Sequence, residues 1–344
     1  NLTTDMKQSI FSICQILARE PGGVEAAVDE AKGEEAMLRD VTLRNPALPP
    51  RQTTDRVLMV APTSFYQNLQ TKDDNYFMQN IHWTKQKIQT EALKEYSCLV
   101  DGLNKAGVRV LLVDHRPYHG IPDAVFPNNW FSTHPETECD GKSTLILYPM
   151  KAPNRRKERR PDIVGLIESQ YARVLSLTDY EQFDKFLEGT GVLVLDRVHK
   201  IAYVALSERA HQHVAREWCR KMGYNSVITF SATDPDGRPI YHTNVMMCVG
   251  TSVAIVCTEA IASQEERDKV VTSLQGTGHT VVAISRKQLY SFCGNCIELS
   301  GSHGKRIMTM SSAAYSGFTP GQRETISAHV DEILHVAIPT IEGV

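Results

Sequence analysis

The 344-residue chain lacks the features that mark membrane and secreted proteins. No run approaches the ~20 consecutive apolar residues that a membrane-spanning helix needs, and no signal peptide, with its basic start and apolar core, opens the chain. Neither sign of charge dominates, because the chain has 37 Lys and Arg and 40 Asp and Glu, for a net charge of −3. These absences predict a globular protein in an aqueous compartment without a membrane partner.

A surface for binding nucleic acid is also missing. The one dense basic run, residues 155–160, is interrupted by Glu158 and followed by Asp162. A phosphate-tracking surface needs an uninterrupted excess of positive charge, whereas this pattern is typical of a solvated helix start. We expect no nucleic-acid partner.

The cysteines are few for the length of the chain and widely spaced. There are 8, and a chain of this size needs no disulfides to hold its core, so reduced thiols and a cytoplasmic location are expected. Cys293 and Cys296 form a CxxC, which is found in redox and zinc sites. No second CxxC or CxxH supplies further zinc ligands, and strand-like sequence follows the pair, so neither a zinc site nor a thioredoxin-like redox site is predicted here.

A supersecondary unit of strand, strand, helix and strand recurs from about Arg56 onward. Its clearest copy comprises strands at Val192–Leu195 and Ile201–Ala205, a helix over Ala210–Lys221 and a strand at Ser226–Phe230. The other copies run from Arg56 to Val113, Val125 to Leu177, Val245 to Ile284 and Ile297 to Ile338.

Five such units predict an α/β fold in which the small sheets close around an axis as a five-bladed α/β propeller of ββαβ units, because each sheet alone leaves apolar faces uncovered. The alternative is an open doubly wound sheet, which no GxGxxG or Walker loop supports. Residues 1–52 precede the repeat and look helical over Met6–Ala18 and Gly23–Leu38. We therefore predict an N-terminal helical extension, 1–52, and one catalytic domain, 53–344.

Three reactive residues recur at the same place in successive units. Glu188, His242 and Cys296 are separated by 54 and 54 residues, each just before or inside the first strand of its unit. In a ring they would converge as an orienting carboxylate, a general acid/base and a thiol nucleophile. Taken singly, each has an ordinary explanation: a buried core cysteine, a hydrogen-bonded core histidine or a carboxylate before a turn. The equivalent spacing favours the catalytic interpretation.

Beyond this spacing, the sequence resembles the guanidino-group-modifying (pentein) superfamily of arginine deiminases, dimethylarginine dimethylaminohydrolases and amidinotransferases. Within it, the citrulline-utilisation hydrolase branch is the most similar, and the resemblance covers about Arg56 to the end. The residues that carry it are Pro122–Trp130, Tyr148–Met150 with Ala152–Arg156, Leu187–Gly189, Leu206–Arg209, Tyr241–Asn244 and Gly294–Cys296.

The resemblance implies a cofactor-free hydrolase of non-peptide C–N bonds. In it Cys296 attacks the central carbon of a guanidino or ureido group, His242 moves protons and Glu188 binds the substrate nitrogens. It further implies that Arg209 and either Arg155 or Arg156 hold the carboxylate of a small amino-acid substrate, for which a guanidinium fork is suited.

The same resemblance assigns Asp123 to the substrate's amino end or its loop. Asn128 and Asn129 depart from the family pattern, which has acidic residues there for a cationic guanidinium. A neutral carboxamide suits an uncharged ureido group, so citrulline is the preferred substrate, hydrolysed to ornithine, carbon dioxide and ammonia.

Several alternatives remain open at this point. They are arginine deiminase or dimethylarginine dimethylaminohydrolase activity, then amidinotransfer, then a propeller that binds without catalysis. A homo-oligomer is also left open.

Overall fold

The computed structural model describes residues 14–16, 51–71, 83–113 and 120–344. Within these residues, fifteen short strands form five separate three-stranded sheets. The strands are β1 (Cys14–Ile16), β2 (Arg56–Val60), β3 (Arg109–Val113), β4 (Phe131–His134), β5 (Thr144–Leu147), β6 (Arg173–Ser176), β7 (Val194–Asp196), β8 (Ile201–Ala205), β9 (Ser226–Phe230), β10 (Met247–Val249), β11 (Val253–Val256), β12 (Thr280–Ala283), β13 (Ile297–Ser300), β14 (Arg306–Ser311) and β15 (Glu332–Val336).

Helices join the second and third strands of the sheets. The α-helices of the described residues are α1 (Lys85–Lys105), α2 (Pro153–Arg156), α3 (Pro161–Glu168), α4 (Gly189–Val192), α5 (Gln212–Met222), α6 (Gln264–Gly276), α7 (Arg286–Leu289), α8 (Ser312–Gly317), α9 (Pro320–Ser327) and α10 (Pro339–Gly343). Their starts carry local signals: Thr319, for example, closes a capping box before Pro320 at the first position of α9.

All five sheets have the same internal order. The first strand pairs antiparallel with the second, and the second pairs parallel with the third after the helix, as in β7, β8 and β9. This is the strand, strand, helix, strand unit that the sequence predicts. The fold is therefore mixed α/β, built from five small mixed sheets.

Neighbouring sheets in the chain also touch in space. β1 contacts β4, α4 contacts both β4 and β7, β7 contacts β10, β10 contacts β13, and α1 of the first unit packs on β15 of the last. The buried apolar side chains form clusters that join residues of successive units, such as Tyr203, Met247 and Met308 in one cluster. The first strands, β7, β10 and β13, lie side by side and thus bring the segments before them together.

The predicted helix over Met6–Ala18 is wrong at Cys14–Ile16, which form β1. This strand pairs antiparallel with β2, with Cys14 opposite Met59 and Ile16 opposite Val57. Pairing with the free edge of β2 outweighs the local helical preference, as tertiary contacts often do. The first sheet thereby has three strands, like the other four sheets.

The N-terminal segment is consequently not purely a helical extension. The predicted helix at Gly23–Leu38 lies outside the described residues, and the division of the chain at residues 52 and 53 stays a prediction.

Gln52 fastens two sheets to each other. Its side-chain amide donates to the carbonyl of Leu195 in β7 at 2.7 Å and to that of Val249 in β10 at 2.9 Å. Its side-chain oxygen accepts from the Arg197 N–H at 2.8 Å. One amide thus satisfies three backbone groups of two different units.

Replacing Gln52 by Ala should lower the free energy of unfolding by about 2 kcal/mol, because three hydrogen bonds of about 1 kcal/mol each are lost and only part of that loss is recovered from water. The measurement is the urea midpoint at unchanged slope. The control is Gln275→Ala on the exposed side of α6, which should stay within about 0.5 kcal/mol of the parent. Equal stability of the two variants would contradict the cross-link.

Candidate active site

His242 and Cys296 line one cavity of about 370 Å³, and Glu188, which is absent from the lining, contacts His242 Nε2 at 2.8 Å. Glu188 directly precedes α4, His242 precedes the short 3₁₀ turn 243–245, and Cys296 directly precedes β13. The strands that follow them are β7, β10 and β13, which lie side by side. The structure therefore brings together the three residues that the sequence spacing singles out.

Two glycines after Glu188 allow the backbone to come close to its neighbours. Gly189 has φ +45°, and a Cβ there would lie 2.1 Å from the carbonyl oxygen of Asn128. A Cβ on Gly191 would lie 2.4 Å from the Asn129 amide nitrogen and 3.0 Å from the His242 ring. Any larger side chain would push these groups apart, which explains why this turn needs glycine.

The carboxylate of Glu188 is fully buried and is held from several sides. It accepts from the Lys151 N–H at 3.0 Å and contacts His242 Nε2 at 2.8 Å. Arg209 and Arg155 lie 3.5 and 3.8 Å from its second oxygen. Burial alone would raise the pKa of Glu188, but Arg209, His242 and Arg155 together hold that pKa well below its usual value.

His242 is oriented by this carboxylate. A carboxylate can only accept, so Nε2 carries the proton and Nδ1 keeps its lone pair. Burial lowers the pKa of His242, although its hydrogen bond to Glu188 acts in the opposite direction. At neutral pH the ring is therefore uncharged and its Nδ1 can accept a proton.

Cys296 is a thiol in this ligand-free state. Its sulfur lies 3.3 Å from the Cys293 carbonyl oxygen. A hydrogen bond with Cys248 and burial raise the pKa of Cys296 well above its usual value. Attack by this sulfur therefore requires a base or a nearby positive charge that stabilises the thiolate.

Arg155 is engaged with protein groups. Its guanidinium donates to both oxygens of Glu158, at 2.7 and 3.1 Å, and to the side-chain oxygen of Asn129 at 2.8 Å. Arg155, Glu158 and Asn129 are all buried. Burial raises the pKa of Glu158 to about 8, but the two-pronged contact from Arg155 favours the ionised carboxylate. Arg155 thus lines the cavity beside Asn129 and fixes the position of the Asn129 side chain.

Arg209 and Asp123 form the other polar side of the cavity. Arg209 lies over the Tyr241 ring, 4.7 Å from its centroid, and near the Thr71 carbonyl oxygen. Asp123 accepts from the Asn68 amide at 2.8 Å and lies 3.4 Å from Arg155. Cationic and anionic groups therefore stand on the same wall, as a zwitterionic amino acid would require.

Of the remaining predicted site residues, one reaches the cavity and one does not. Asn128 lines it, and its carbonyl oxygen accepts from the Thr190 hydroxyl at 3.4 Å. Arg156 is absent from the lining and instead donates to the carbonyl oxygens of Met150 and Lys151 at 2.9 and 3.2 Å. The geometry thus distinguishes the two neighbouring arginines that the sequence left as alternatives.

Sequence reasoning missed the part played by Glu158, which it treated as an interruption of a basic run. The spacing of three residues from Arg155 across one helical turn was the available signal, since such pairs face each other. The Lys151 N–H contact to Glu188 had no signal, because any residue can supply a backbone donor.

No cluster of three metal-ligating side chains occurs within the part of the chain that the structure describes. In that same part, no helix is both long and apolar enough to cross a membrane.

Comparison with known proteins assigns the family. The family model for eukaryotic N,N-dimethylarginine dimethylhydrolases matches residues 61–344. The chain therefore belongs to this family, within the guanidino-group-modifying (pentein) superfamily. It is an enzyme that hydrolyses non-peptide C–N bonds through a covalent cysteine intermediate, as the sequence predicted. No curated protein sequence matches the chain.

Solved structures with low sequence identity have a similar fold. The N-terminal domain of ArgZ, an arginine dihydrolase from Cyanobacteria, is 16% identical, with 83% of this chain and 93% of that one covered, at TM-score 0.62. AgrE bound to ornithine and NAD⁺ is 17% identical, with 83% and 37% covered, also at 0.62. A mutant dimethylarginine dimethylaminohydrolase from Pseudomonas aeruginosa complexed with citrulline is 16% identical, with 84% and 94% covered, at 0.55.

The rate of alkylation of Cys296 by neutral iodoacetamide should be low at neutral pH and should keep rising to a higher pH than the rate of an ordinary thiol. Only the thiolate reacts, and an ordinary thiol with a pKa of about 8.5 reaches its full rate earlier. Peptide mass spectrometry can compare Cys296 with the exposed Cys98 in one sample. A Cys296 rate that is already maximal at neutral pH would contradict a raised thiol pKa.

Proposed function

We propose that the chain hydrolyses the ureido group of free citrulline to ornithine, carbon dioxide and ammonia. The observation that most supports this proposal is the orientation of the Asn129 amide. Arg155 can only donate, so the Asn129 group 2.8 Å from it is the oxygen. The amide nitrogen then faces Gly191 and His242.

Asn129 therefore has its NH₂ donor on the side of His242, while its oxygen accepts from Arg155. A ureido group has a carbonyl oxygen that can accept from this donor, whereas a guanidinium carries N–H groups at every position. An N–H facing an N–H loses the hydrogen bond on both sides. This polarity supports citrulline over arginine more directly than the neutral charge of Asn129 does.

In the proposed reaction, His242 Nδ1 takes the proton of Cys296, and the sulfur attacks the ureido carbon. Glu188 holds His242 in this orientation, and the Asn129 amide donates to the oxygen as negative charge develops on it. The C–N bond to ornithine breaks when His242 returns a proton to the leaving nitrogen. Water activated by His242 then hydrolyses the carbamoyl thioester, and the carbamate decays to carbon dioxide and ammonia.

In this proposal, Arg209 and Asp123 bind the amino-acid end of the substrate. Arg209, stacked on Tyr241, binds the carboxylate, and Asp123 lies where the amino group would be. We do not assign Arg155 to substrate binding, because its guanidinium already donates to Glu158 and Asn129.

We also propose that the five sheets close into the five-bladed propeller predicted from the sequence. Support comes from the contacts that run from each unit to the next and from α1 back to β15. The hydrogen bond of the Ser300 N–H to the Thr54 carbonyl oxygen, at 2.8 Å, joins the last unit to the first. Such closure would place Glu188, His242 and Cys296 around one axis.

A second candidate is hydrolysis of a guanidino group, as the family name implies. The observation in its favour is the raised pKa of Cys296. A cationic guanidinium beside the sulfur would stabilise the thiolate, which a neutral ureido group would not do. Arginine and methylated arginines therefore belong in the first assay.

The test is release of ammonia and ornithine by the purified protein from citrulline, arginine and methylated arginines, without added metal. We expect ornithine from citrulline, and we expect Cys296→Ser to lose at least about a thousandfold in rate, because the hydroxyl is a far weaker nucleophile at neutral pH. Cys293→Ala is the matched control. Cys293 is buried, its thiol donates to the Ala314 carbonyl oxygen at 3.3 Å, and it is absent from the cavity lining.

Each other outcome has a distinct meaning. Citrulline or ornithine formed from arginine alone would replace the ureido proposal by the guanidino one. Turnover that depends on an added amine acceptor would indicate amidinotransfer. Loss of activity in Cys293→Ala with retention in Cys296→Ser would show that the nucleophile is misassigned, and no reaction with any substrate would favour a binding protein.

A further inference from the structure

We propose that Glu158 is a positioning residue that sets the preference of the site for a ureido over a guanidino group. It would do so through Arg155, which fixes the orientation of the Asn129 amide. The inference rests on the proposed placement of the substrate against Asn129 and deepens the proposed function. Glu158 itself is absent from the cavity lining.

The first link is the pair of Glu158 and Arg155. Glu158 follows α2 and lies one turn after Arg155, whose carbonyl oxygen accepts from the Glu158 N–H at 3.0 Å. Both oxygens of Glu158 accept from Arg155, and both side chains are about 2% exposed. Two parallel hydrogen bonds define the plane of the guanidinium as well as its position.

The second link is the contact of Arg155 with Asn129. The nitrogen of Arg155 that is free of Glu158, Nη1, donates to the Asn129 side-chain oxygen at 2.8 Å. Nη2 also lies 3.4 Å from the carbonyl oxygen of Phe126. A flipped Asn129 amide would put its NH₂ group against this donor, so the pair from Glu158 to Arg155 excludes the flipped form.

The third link is the substrate. With the amide oxygen turned toward Arg155, the nitrogen of Asn129 lies on the side of Gly191 and His242, and His242 lines the cavity. A carbonyl oxygen matches it, and an N–H of a guanidinium does not. Asn129 alone could present either end, because an amide donates and accepts with nearly the same shape. The selectivity therefore depends on what holds the amide, and in this chain Arg155 and Glu158 hold it.

The measurement is binding of citrulline and of arginine by calorimetry in an inactive Cys296→Ala background, so that turnover is not needed. Glu158→Gln replaces one accepting oxygen by a donor, which disturbs the fork of Arg155 and frees the Asn129 amide. We expect the ratio of the arginine Kd to the citrulline Kd to fall about tenfold, the effect of losing one well-placed hydrogen bond. Glu158→Asp keeps both accepting oxygens and should restore part of the ratio.

Two controls separate positioning from a general structural role. Glu181→Gln removes a comparable carboxylate that pairs with Arg159 at 2.8 Å and is absent from the cavity lining, so it should leave the ratio unchanged. In an Asn129→Asp background the carboxylate has two equivalent oxygens and no orientation to fix. There Glu158→Gln should no longer change the ratio.

The proposal is overturned if Glu158→Gln weakens both ligands equally, or if its effect on the ratio persists in the Asn129→Asp background. Failure of the proposed function is a separate result, in which the parent enzyme does not turn over citrulline although the binding ratio still responds to Glu158. If Glu158→Gln does not fold, Glu158→Asp serves as the test. Its carboxylate is shorter and cannot keep both contacts with Arg155, so the ratio of the arginine Kd to the citrulline Kd should fall below that of the parent. A ratio equal to the parent's in the folded Glu158→Asp variant also overturns the proposal.

Discussion

A single buried carboxylate, that of Glu188, organises the cavity. Burying a charge is costly unless hydrogen bonds and opposite charges surround it. Here a backbone N–H of Lys151, the imidazole of His242 and the guanidinium groups of Arg209 and Arg155 supply them. These groups come from three segments, around residues 151–155, 209 and 242, so the carboxylate holds together parts of the chain that are far apart in sequence.

The position of that carboxylate depends in turn on the glycines that follow it. Gly189 and Gly191 let the backbone approach Asn128, Asn129 and His242 to distances that a Cβ would forbid. The same turn therefore sets the relative positions of Glu188, His242 and Asn129. The tight turn lies at the start of one unit, and the units on either side provide the surfaces that it touches.

Much of the fold could be predicted because its signal is local and repeated. Apolar runs and amphipathic helices predicted most strands of the five sheets. The two 54-residue spacings singled out His242 and Cys296, which line the same cavity, and Glu188, which contacts His242. β1 could not be predicted, because it forms through pairing with β2 some 40 residues later and not through its own pattern.

Arg155 and Arg156 show what could not be predicted from the sequence at the site. Sequence alone left Arg155 and Arg156 equivalent, since the two differ only in direction from a short helix. In the structure Arg155 turns inward to Glu158 and Asn129, while Arg156 binds backbone carbonyl groups outside the cavity. Which way a side chain points depends on the tertiary partners it finds, and those partners are remote in sequence.

The central claim is that Cys296 attacks the ureido carbon of citrulline while Asn129 donates to its oxygen. Its most direct test is rapid acid quenching during turnover of citrulline labelled at the ureido carbon, followed by peptide mass spectrometry. The account predicts one labelled carbamoyl group on Cys296. Label on a residue other than Cys296 would contradict it. Ornithine formation with no labelled protein at any quench time would also contradict it.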